Sequence, residues 1–580
     1  MSAPYKAAAI QFEPHFARKE RNIEVLLGLV EEAAKAGARL VTTPEMGTTG
    51  YCWHDRHEVR EHVEPVPGPT TDRFAALARA YDCFVVVGMP EVDPATDLYY
   101  NSAVLIGPDG VVGVHRKTHP YISEPKWAAS GDLGHQVFET SIGRIALLVC
   151  MDIHFIETAR LAALGGADVI CHISNWLAER APAPYWISRA FENGCYLMES
   201  NRWGMERGVQ FSGGSCIIGP DAEMLAVIDG GDGIAYATID PRNARRRLVQ
   251  GEPVMEQRRP ELYAELMTNT FSWNPNDFFR LYGHEPIPSG RNARIAVAET
   301  APSDDLEANM REIAALAERA KQDGAELVVF PERALTGLEE MAAGAVESSH
   351  PALATLQELA DRLGLFVIAG YAGREGTTLY NSAVVAGPDG FNRHYRQIHL
   401  NTETRAWASA GDSWLVCDLP FGRLGVLVGH DAAFPEAARV LALRGCDLIA
   451  CPSAVSTRFH ASHDGTRVSQ PEPIPTGPDL QHWHHYRVRA GENNCYFAFA
   501  NVHAPEKGYH GLGGIFGPET FAFPRKETIV TAGEQLAALD IALEGGNHTY
   551  PTNVVRRKDL VLMRQPHHYK PLIARSPLPR

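Results

Sequence analysis

The chain has 580 residues, 45% apolar and 21% charged, which excludes a disordered or fibrous protein and predicts two domains of a few hundred residues each. Lys and Arg number 54 against 70 Asp and Glu, a formal net charge of -16, so neither a nucleic acid nor an anionic membrane surface is an expected partner. Ten scattered cysteines without a CxxC pair, no apolar run that spans a bilayer and no signal-peptide core after Met1 predict a cytoplasmic chain with free thiols.

In chain order, residues 5–11 read as an opening strand, followed by a helix that ends at Gly37 and by a buried strand at Leu40-Val41. Further apolar runs at Phe84–Val87, Ile145–Val149 and Val169–Ile170 alternate with helix-like segments and Pro-Asp-Gly turns. Glu285 to Gly290 is a Pro/Gly-rich linker. Beyond it the pattern starts again, with a strand at 293–299 and cap residues Ser303-Asp304-Asp305. A helix then carries Leu306, Met310, Ile313, Leu316, Ala317 and Ala320 on one face, Gly324 ends it, and Leu327–Phe330 reads as a strand.

The restart is a repeat. Thr43-Pro44-Glu45 through Gly50 returns at Phe330-Pro331-Glu332 through Gly337, and Asn101-Ser102-Ala103-Val104 returns at Asn381 through Val384. Trp127–Asp132 returns at Trp407–Asp412, and Arg189–Asn193 at Arg489–Asn493. The offsets are 287, 280, 280 and 300 in unchanged order. The chain is therefore read as a tandem duplication of one α/β fold, residues 1–290 and 291–580.

Three reactive side chains of the first copy sit where loops leave strands: Glu45, Lys117 and Cys150. A carboxylate can take a thiol proton, a thiolate can attack a carbonyl or nitrile carbon, and an ammonium can stabilise the developing charge and help generate the thiolate. Taken singly, such a Cys is more often a small buried hydrophobe, and such charges more often solvated. Their joint order is what distinguishes them.

The segments Pro44-Glu45, Thr49-Gly50-Tyr51, Arg116-Lys117-Thr118-His119, Cys150-Met151-Asp152 and Arg189–Asn193 leading to Asn201-Arg202 resemble the nitrilase, or carbon–nitrogen hydrolase, superfamily. The resemblance covers residues 5–285 and, more weakly, 293–580. It implies two tandem αββα sandwich domains, packed as an intrachain pseudo-dimer and open to further homo-oligomerisation. It also implies a site with no metal and no cofactor, acting on a small-molecule amide or nitrile. Glu45 would be the general base, Cys150 the nucleophile that forms a thioester, and Lys117 with the backbone N–H of Met151 the oxyanion site. Glu124 matches a second glutamate found in many members.

Nitrile-hydrolysing members typically carry Cys-Trp-Glu, so Cys150-Met151-Asp152 resembles the amidase-type branches and favours an amide or carbamoyl substrate. A nitrile-hydrolysing enzyme and a non-catalytic scaffold are the alternatives. Tyr51, Trp53, His154, Asn175, Trp176 and Trp203 are candidates to shape the substrate pocket, although aromatic residues fill cores more often than pockets. In the second copy Glu45 corresponds to Glu332, Lys117 to Gln397, Glu124 to Thr404 and Cys150 to Gly429, so this copy is expected to be inactive. It carries an insertion at about 455–486 with His460, His463, Asp464, His482, His484 and His485. Their spacing matches no standard zinc pattern, and a polar loop is expected there.

Overall fold

A computed structural model describes residues 3–177, 179–246, 248–269, 287–339, 341–456, 481–519, 525–544 and 552–574. It divides into two compact units, one of Met1–Pro253, Phe459–His484 and Gln565–Arg580, the other of Val254–Arg458 and His485–Arg564. Glu285 and Pro286 of the expected linker, and His460, His463 and Asp464 of the insertion, lie outside the described residues, as does the side chain of His482.

The first unit is built on two six-stranded sheets. One runs in the order Gly233–Ile239, Tyr5–Gln11, Ala38–Thr42, Phe84–Val92, Tyr99–Gly107, Gly110–Arg116, the other in the order Met224–Val227, Cys216–Ile218, Tyr196–Asn201, Val169–Ser174, Gly143–Val149, Val137–Thr140. Each has a central parallel trio flanked by antiparallel strands. Strands buried on both faces read as near-continuous apolar runs, which is why Tyr5–Gln11 and Gly143–Val149 show little alternation. The sheets face each other, and the Thr42 and Ser200 hydroxyls meet between them at 2.6 Å.

Helices Lys19–Lys35 and Pro69–Tyr81 cover the outer face of the first sheet through Ile23, Leu26, Val30, Phe74 and Ala78. Ile156–Leu164 and Pro184–Asn193 cover that of the second. The layering is helix, sheet, sheet, helix.

The second unit repeats it. Its first sheet runs Phe391–Arg396, Thr378–Gly387, Phe366–Glu375, Leu327–Val329, Ala293–Ala298, Leu536–Ile541, with Val346–Glu347 beside Phe366–Glu375. Its second runs Leu415–Leu419, Gly422–Val426, Leu448–Ser453, Tyr496–Asn501, Gly514–Phe516, Glu527–Ile529. The expected helix is present as Leu306–Gln322. Asp305 caps it by accepting from the N–H groups of Glu307 and Ala308, and Gly324, at φ +84°, turns the chain out of it.

A further repeat lies toward the end of each copy. Arg258-x-Pro260-x-x-Tyr263-x-x-Leu266 recurs as Arg564-x-Pro566-x-x-Tyr569-x-x-Leu572. The tyrosine hydroxyls accept from the N–H of Arg259 at 3.2 Å and of Gln565 at 3.0 Å, closing equivalent turns. The first tail packs within the second unit, where Arg258 pairs with Glu436 at 2.8 Å and Tyr263 meets His399 at 2.6 Å. The second packs within the first unit, where Lys570–Ile573 lies on the helix Ile156–Leu164. The compact units thus divide at Pro253, whereas the duplication restarts near residue 290.

Candidate active site

Glu45 lies in the turn after the strand Ala38–Thr42 and is fully buried. The turn crosses the neighbouring strand closely enough that a Cβ at Gly88 would sit 2.4 Å from the Pro44 carbonyl oxygen and 2.8 Å from Glu45 Cα. Gly370 plays the same part under Glu332, with Glu332 Cα at 2.6 Å. Lys117 follows the strand Gly110–Arg116, where its N–H donates to the Asn101 carbonyl at 2.8 Å. Cys150 opens a short 3-10 turn, Cys150–His154, at the end of the strand Gly143–Val149. Its φ is +45°, a left-handed conformation that costs a non-glycine residue about 1–2 kcal/mol and so must be held by its surroundings.

Asp152 does much of that holding. Its carboxylate accepts from the Val149 N–H at 3.1 Å, the Thr118 hydroxyl at 2.8 Å, the His119 N–H at 3.0 Å and the His115 ring at 2.8 Å. One side chain thus ties the cysteine turn to the lysine loop. Despite complete burial, its hydrogen bonds to His115 and His119 hold it well below the usual carboxylate range. Arg189 clamps the far end of the turn through the carbonyls of Ile153 at 3.0 Å and His154 at 3.1 Å, and it pairs with Glu192.

The Lys117 ammonium donates to Glu45 Oε1 at 2.8 Å and to Glu124 Oε1 at 2.6 Å, with side-chain exposure near 1% for all three groups. Burial alone would push the lysine down, but the two carboxylates outweigh it and hold Lys117 well above its ordinary value. Glu124 stays raised, because burial and the Glu45 charge outweigh the ammonium beside it. Burial, reinforced by Glu45 and Glu124, pushes the Cys150 thiol well up, against the pull of Lys117. Lys117 does pull the thiol down, as expected of a cation beside it, but burial and the two carboxylates outweigh it.

Asn175 falls beside these groups. Its backbone N–H donates to Glu45 Oε2 at 2.7 Å and its side-chain amide to the Glu45 carbonyl at 3.0 Å. Tyr51 is buried, with the Lys117 ammonium 5.8 Å from its ring centre; burial and the Glu124 and Glu45 charges raise its hydroxyl well above the ordinary value. His154 stacks on Trp176 at 4.9 Å and meets Tyr185, tilted, at 4.6 Å, and burial keeps its imidazole well below the ordinary value. The Trp176 indole N–H donates at 2.6 Å to Glu179, a half-buried residue whose desolvated carboxyl is pushed up to about 8. Met151 is buried within the cysteine turn.

The other two pocket candidates are Trp203 and Trp53. Trp203 is on the small ribbon Trp203–Glu206 with Val209–Ser212, and its indole N–H donates to Asp232 at 2.7 Å. Trp53 packs on Phe16 at 4.4 Å and His62 at 4.8 Å in an apolar cluster.

The sequence reading did not single out Asn101, whose amide donates to Glu45 Oε1 at 2.6 Å and, at 3.4 Å, to Glu124 Oε1. Nor did it single out Tyr121, whose N–H donates to Glu124 Oε2 at 3.1 Å. The return of Asn101 as Asn381 was the available signal.

In the second unit Asn381 donates to Glu332 Oε1 and to Gln397 Oε1, each at 2.8 Å, while Gln397 Nε2 donates to the Val428 carbonyl at 2.9 Å. Gly429 keeps the left-handed conformation, φ +47°. A Cβ there would meet Glu332 Oε2 at 2.2 Å, so the glutamate occupies the space beside the missing side chain. Asp431 still ties the turn to the loop, accepting from the His399 and Val428 N–H groups at 2.8 and 3.1 Å. The surrounding hydrogen bonds are kept without the cysteine and the ammonium.

Among the described residues, no group of three or more His, Cys, Asp or Glu is arranged to hold a metal ion, and no helix is long and apolar enough to cross a membrane. His485 of the insertion's end lies in the helix Gln481–Gly491, where its ring donates to the Ala432 carbonyl at 2.9 Å.

The fold and the paired carboxylates around a lysine define a tandem protein of the nitrilase superfamily type. The carbon-nitrogen hydrolase family profile matches residues 6–247 and 294–519, and the chain belongs to that family. The chain is 37% identical over 261 residues to a protein named Nitrilase from Pyrococcus abyssi, covering 44% of this chain and 98% of that one. It is 28% identical over 279 residues to the omega-amidase NIT2 of Bos taurus, covering 45% and 97%. Saccharomyces cerevisiae Nit3, a member of branch 10 of the nitrilase superfamily, matches as a solved structure at 25% identity, over 42% of this chain and 93% of that one, with a TM-score of 0.39.

Proposed function

We propose that the first copy is an amidase-type carbon–nitrogen hydrolase working through a thioester on Cys150, and that the second copy is catalytically inactive. The observation that carries this reading is the buried Lys117 ammonium held between Glu45 and Glu124 beside Cys150, set against its replacement by Gln397 beside Gly429. Glu45 takes the Cys150 proton as the sulfur attacks the carbonyl carbon of an amide or carbamoyl group. Lys117 and the Met151 N–H hold the resulting oxyanion. Collapse expels ammonia or an amine, which takes the proton from Glu45 and leaves a thioester. Water then attacks the thioester while Glu45 removes its proton. The second collapse releases the acid and returns the proton to sulfur. Glu124 fixes the ammonium without entering the proton transfers.

A nitrile substrate is the second reading, favoured by the name of the Pyrococcus abyssi relative. Ammonia release from aliphatic, aromatic and carbamoyl amides and from nitriles, by the wild type and by Cys150→Ala, tests both. Turnover of amides that vanishes in the variant supports the proposal. Turnover of nitriles alone would transfer it to the second reading. Slow, uniform alkylation of all thiols by iodoacetamide with no turnover would leave a scaffold.

A further inference from the structure

Behind the cysteine turn lies a buried acid–imidazole pair that the mechanism above does not use. His172, on the strand Val169–Ser174, stands opposite Glu199 on the neighbouring strand Tyr196–Asn201, and neither is exposed to solvent. His172 Nδ1 meets Glu199 Oε2, and the Ser174 hydroxyl donates to Glu199 Oε1. On its other side His172 Nε2 lies 3.0 Å from the carbonyl oxygen of Cys150. A carbonyl oxygen only accepts, so Nε2 carries a proton and donates it. This holds whether the second proton of the pair resides on Nδ1 or on the carboxyl of Glu199. Burial pulls the imidazole down, but the Glu199 charge and hydrogen bond outweigh it and raise His172 overall.

The carbonyl that His172 grips belongs to the peptide joining Cys150 to Met151. That peptide is trans, so its N–H projects opposite its C=O. Fixing the carbonyl from behind fixes the direction of the Met151 N–H in front. Donating to the carbonyl also polarises the peptide and strengthens its N–H as a donor.

The second copy supplies an internal comparison. By strand register His172 corresponds to Cys451 and Glu199 to Phe499, while Ser174 and Asn201 are retained as Ser453 and Asn501. Phe499 stacks on Tyr486 at 3.8 Å, so the position has become apolar. The turn at Gly429 keeps its conformation without the imidazole. In the second copy the turn, which carries glycine, forms without the pair, and the copy that lacks the pair also lacks the cysteine and the ammonium.

We propose that His172, seated by Glu199, is a positioning residue for the oxyanion site: it holds and polarises the Cys150–Met151 peptide so that the Met151 N–H meets the tetrahedral oxyanion. This rests on the hydrolase reading of the first copy.

The test compares two reactions of one thiol. Alkylation of Cys150 by iodoacetamide occurs at a saturated carbon and builds no oxyanion, whereas amide hydrolysis does. The double variant His172→Cys with Glu199→Phe imports the second copy's own pair, and circular dichroism with thermal melting checks its fold. Losing an oxyanion donor costs about 100- to 1000-fold in kcat. The expected result is a fall of that order with Cys150 alkylation within about threefold of wild type, and recovery of at least about tenfold in His172→Gln, which restores an N–H donor. A kcat within about threefold of wild type, or alkylation that falls in step with kcat, would overturn the proposal, the latter by showing a general loosening of the turn. Absence of both amide and nitrile turnover in the wild type would overturn the hydrolase reading itself.

Discussion

Lys117→Met is the perturbation whose consequence the geometry specifies most fully. Methionine is unbranched and of similar reach, so it fills the space without the charge. In the wild type the ammonium lies 2.8 Å from Glu45 Oε1 and 2.6 Å from Glu124 Oε1. At an effective dielectric of about 20 each contact is worth about 6 kcal/mol of Coulomb attraction, most of it offset by desolvation. Breaking a buried pair by removing one partner costs about 3–5 kcal/mol. The variant leaves two carboxyls facing one site without a cation, so the pair takes up a proton. Glu124 is already raised in the wild type, and removing the ammonium raises it further. A carboxyl whose folded value lies above its unfolded one binds more protons when folded, so the variant loses stability as pH rises above about 4.3. Lys117, itself held well above its ordinary value, stays charged across the same range in the wild type. The melting deficit should therefore be small at pH 5 and grow to about 10 °C at pH 8, at about 2–4 °C per kcal/mol. Turnover should fall at least about 100-fold. Scanning calorimetry at both pH values, with ammonia release beside it, measures both effects. A variant melting within about 2 °C of wild type at pH 8, or turning over within about tenfold, would refute the reasoning.

Asp152→Asn should destabilise the first unit by about 2–4 kcal/mol at pH 7, because an amide replaces a carboxylate that accepts from both the cysteine turn and the lysine loop. The Asp152 value is depressed in the folded state, so its stabilisation is present above about pH 3.9 and is lost as pH falls through the lower folded value; the difference in melting should narrow in acid. Gly429→Cys, introduced into Cys150→Ala, should release no ammonia, since Gln397 carries no charge. It should also cost about 1–3 kcal/mol, because its Cβ falls 2.2 Å from Glu332 Oε2. Ammonia release by that double variant would contradict the pairing of lysine with cysteine. Cys150→Ala alone should melt within about 1–2 °C of wild type and show no turnover, as judged by calorimetry and by the same assay.

The duplication made the fold legible, because four segments in constant order cannot return without the strands between them. The opening strands and the capped helix Leu306–Gln322 follow directly from local pattern. Glu45, Lys117 and Cys150 could be proposed from the sequence because their order and flanking motifs match those of a known family. Asn101, Tyr121 and the His172–Glu199 pair were not, because their meaning lies in register. His172 and Glu199 are 27 residues apart and become neighbours only when two parallel strands align. Asp152 was visible as part of a motif, but its role as a tie depends on a loop brought to it from 33 residues away. Trp203, Trp53 and Trp176 show the opposite limit: aromatic character does not tell a pocket wall from a ribbon or a core, and the contacts of each become legible only in the packing. The tail repeat around Tyr263 and Tyr569 lay in plain sequence, but it carries no reactive group to draw notice.

The most direct measurement of the central claim is the stoichiometry and position of the acyl group trapped during turnover. Wild-type protein quenched in acid with a hydrolysed amide and analysed by intact and peptide mass spectrometry should carry one acyl group per chain, on the peptide containing Cys150. Cys150→Ala should carry none. An adduct on a second-copy peptide, two adducts per chain, or continued turnover by Cys150→Ala would contradict the account of one fold used twice and active once.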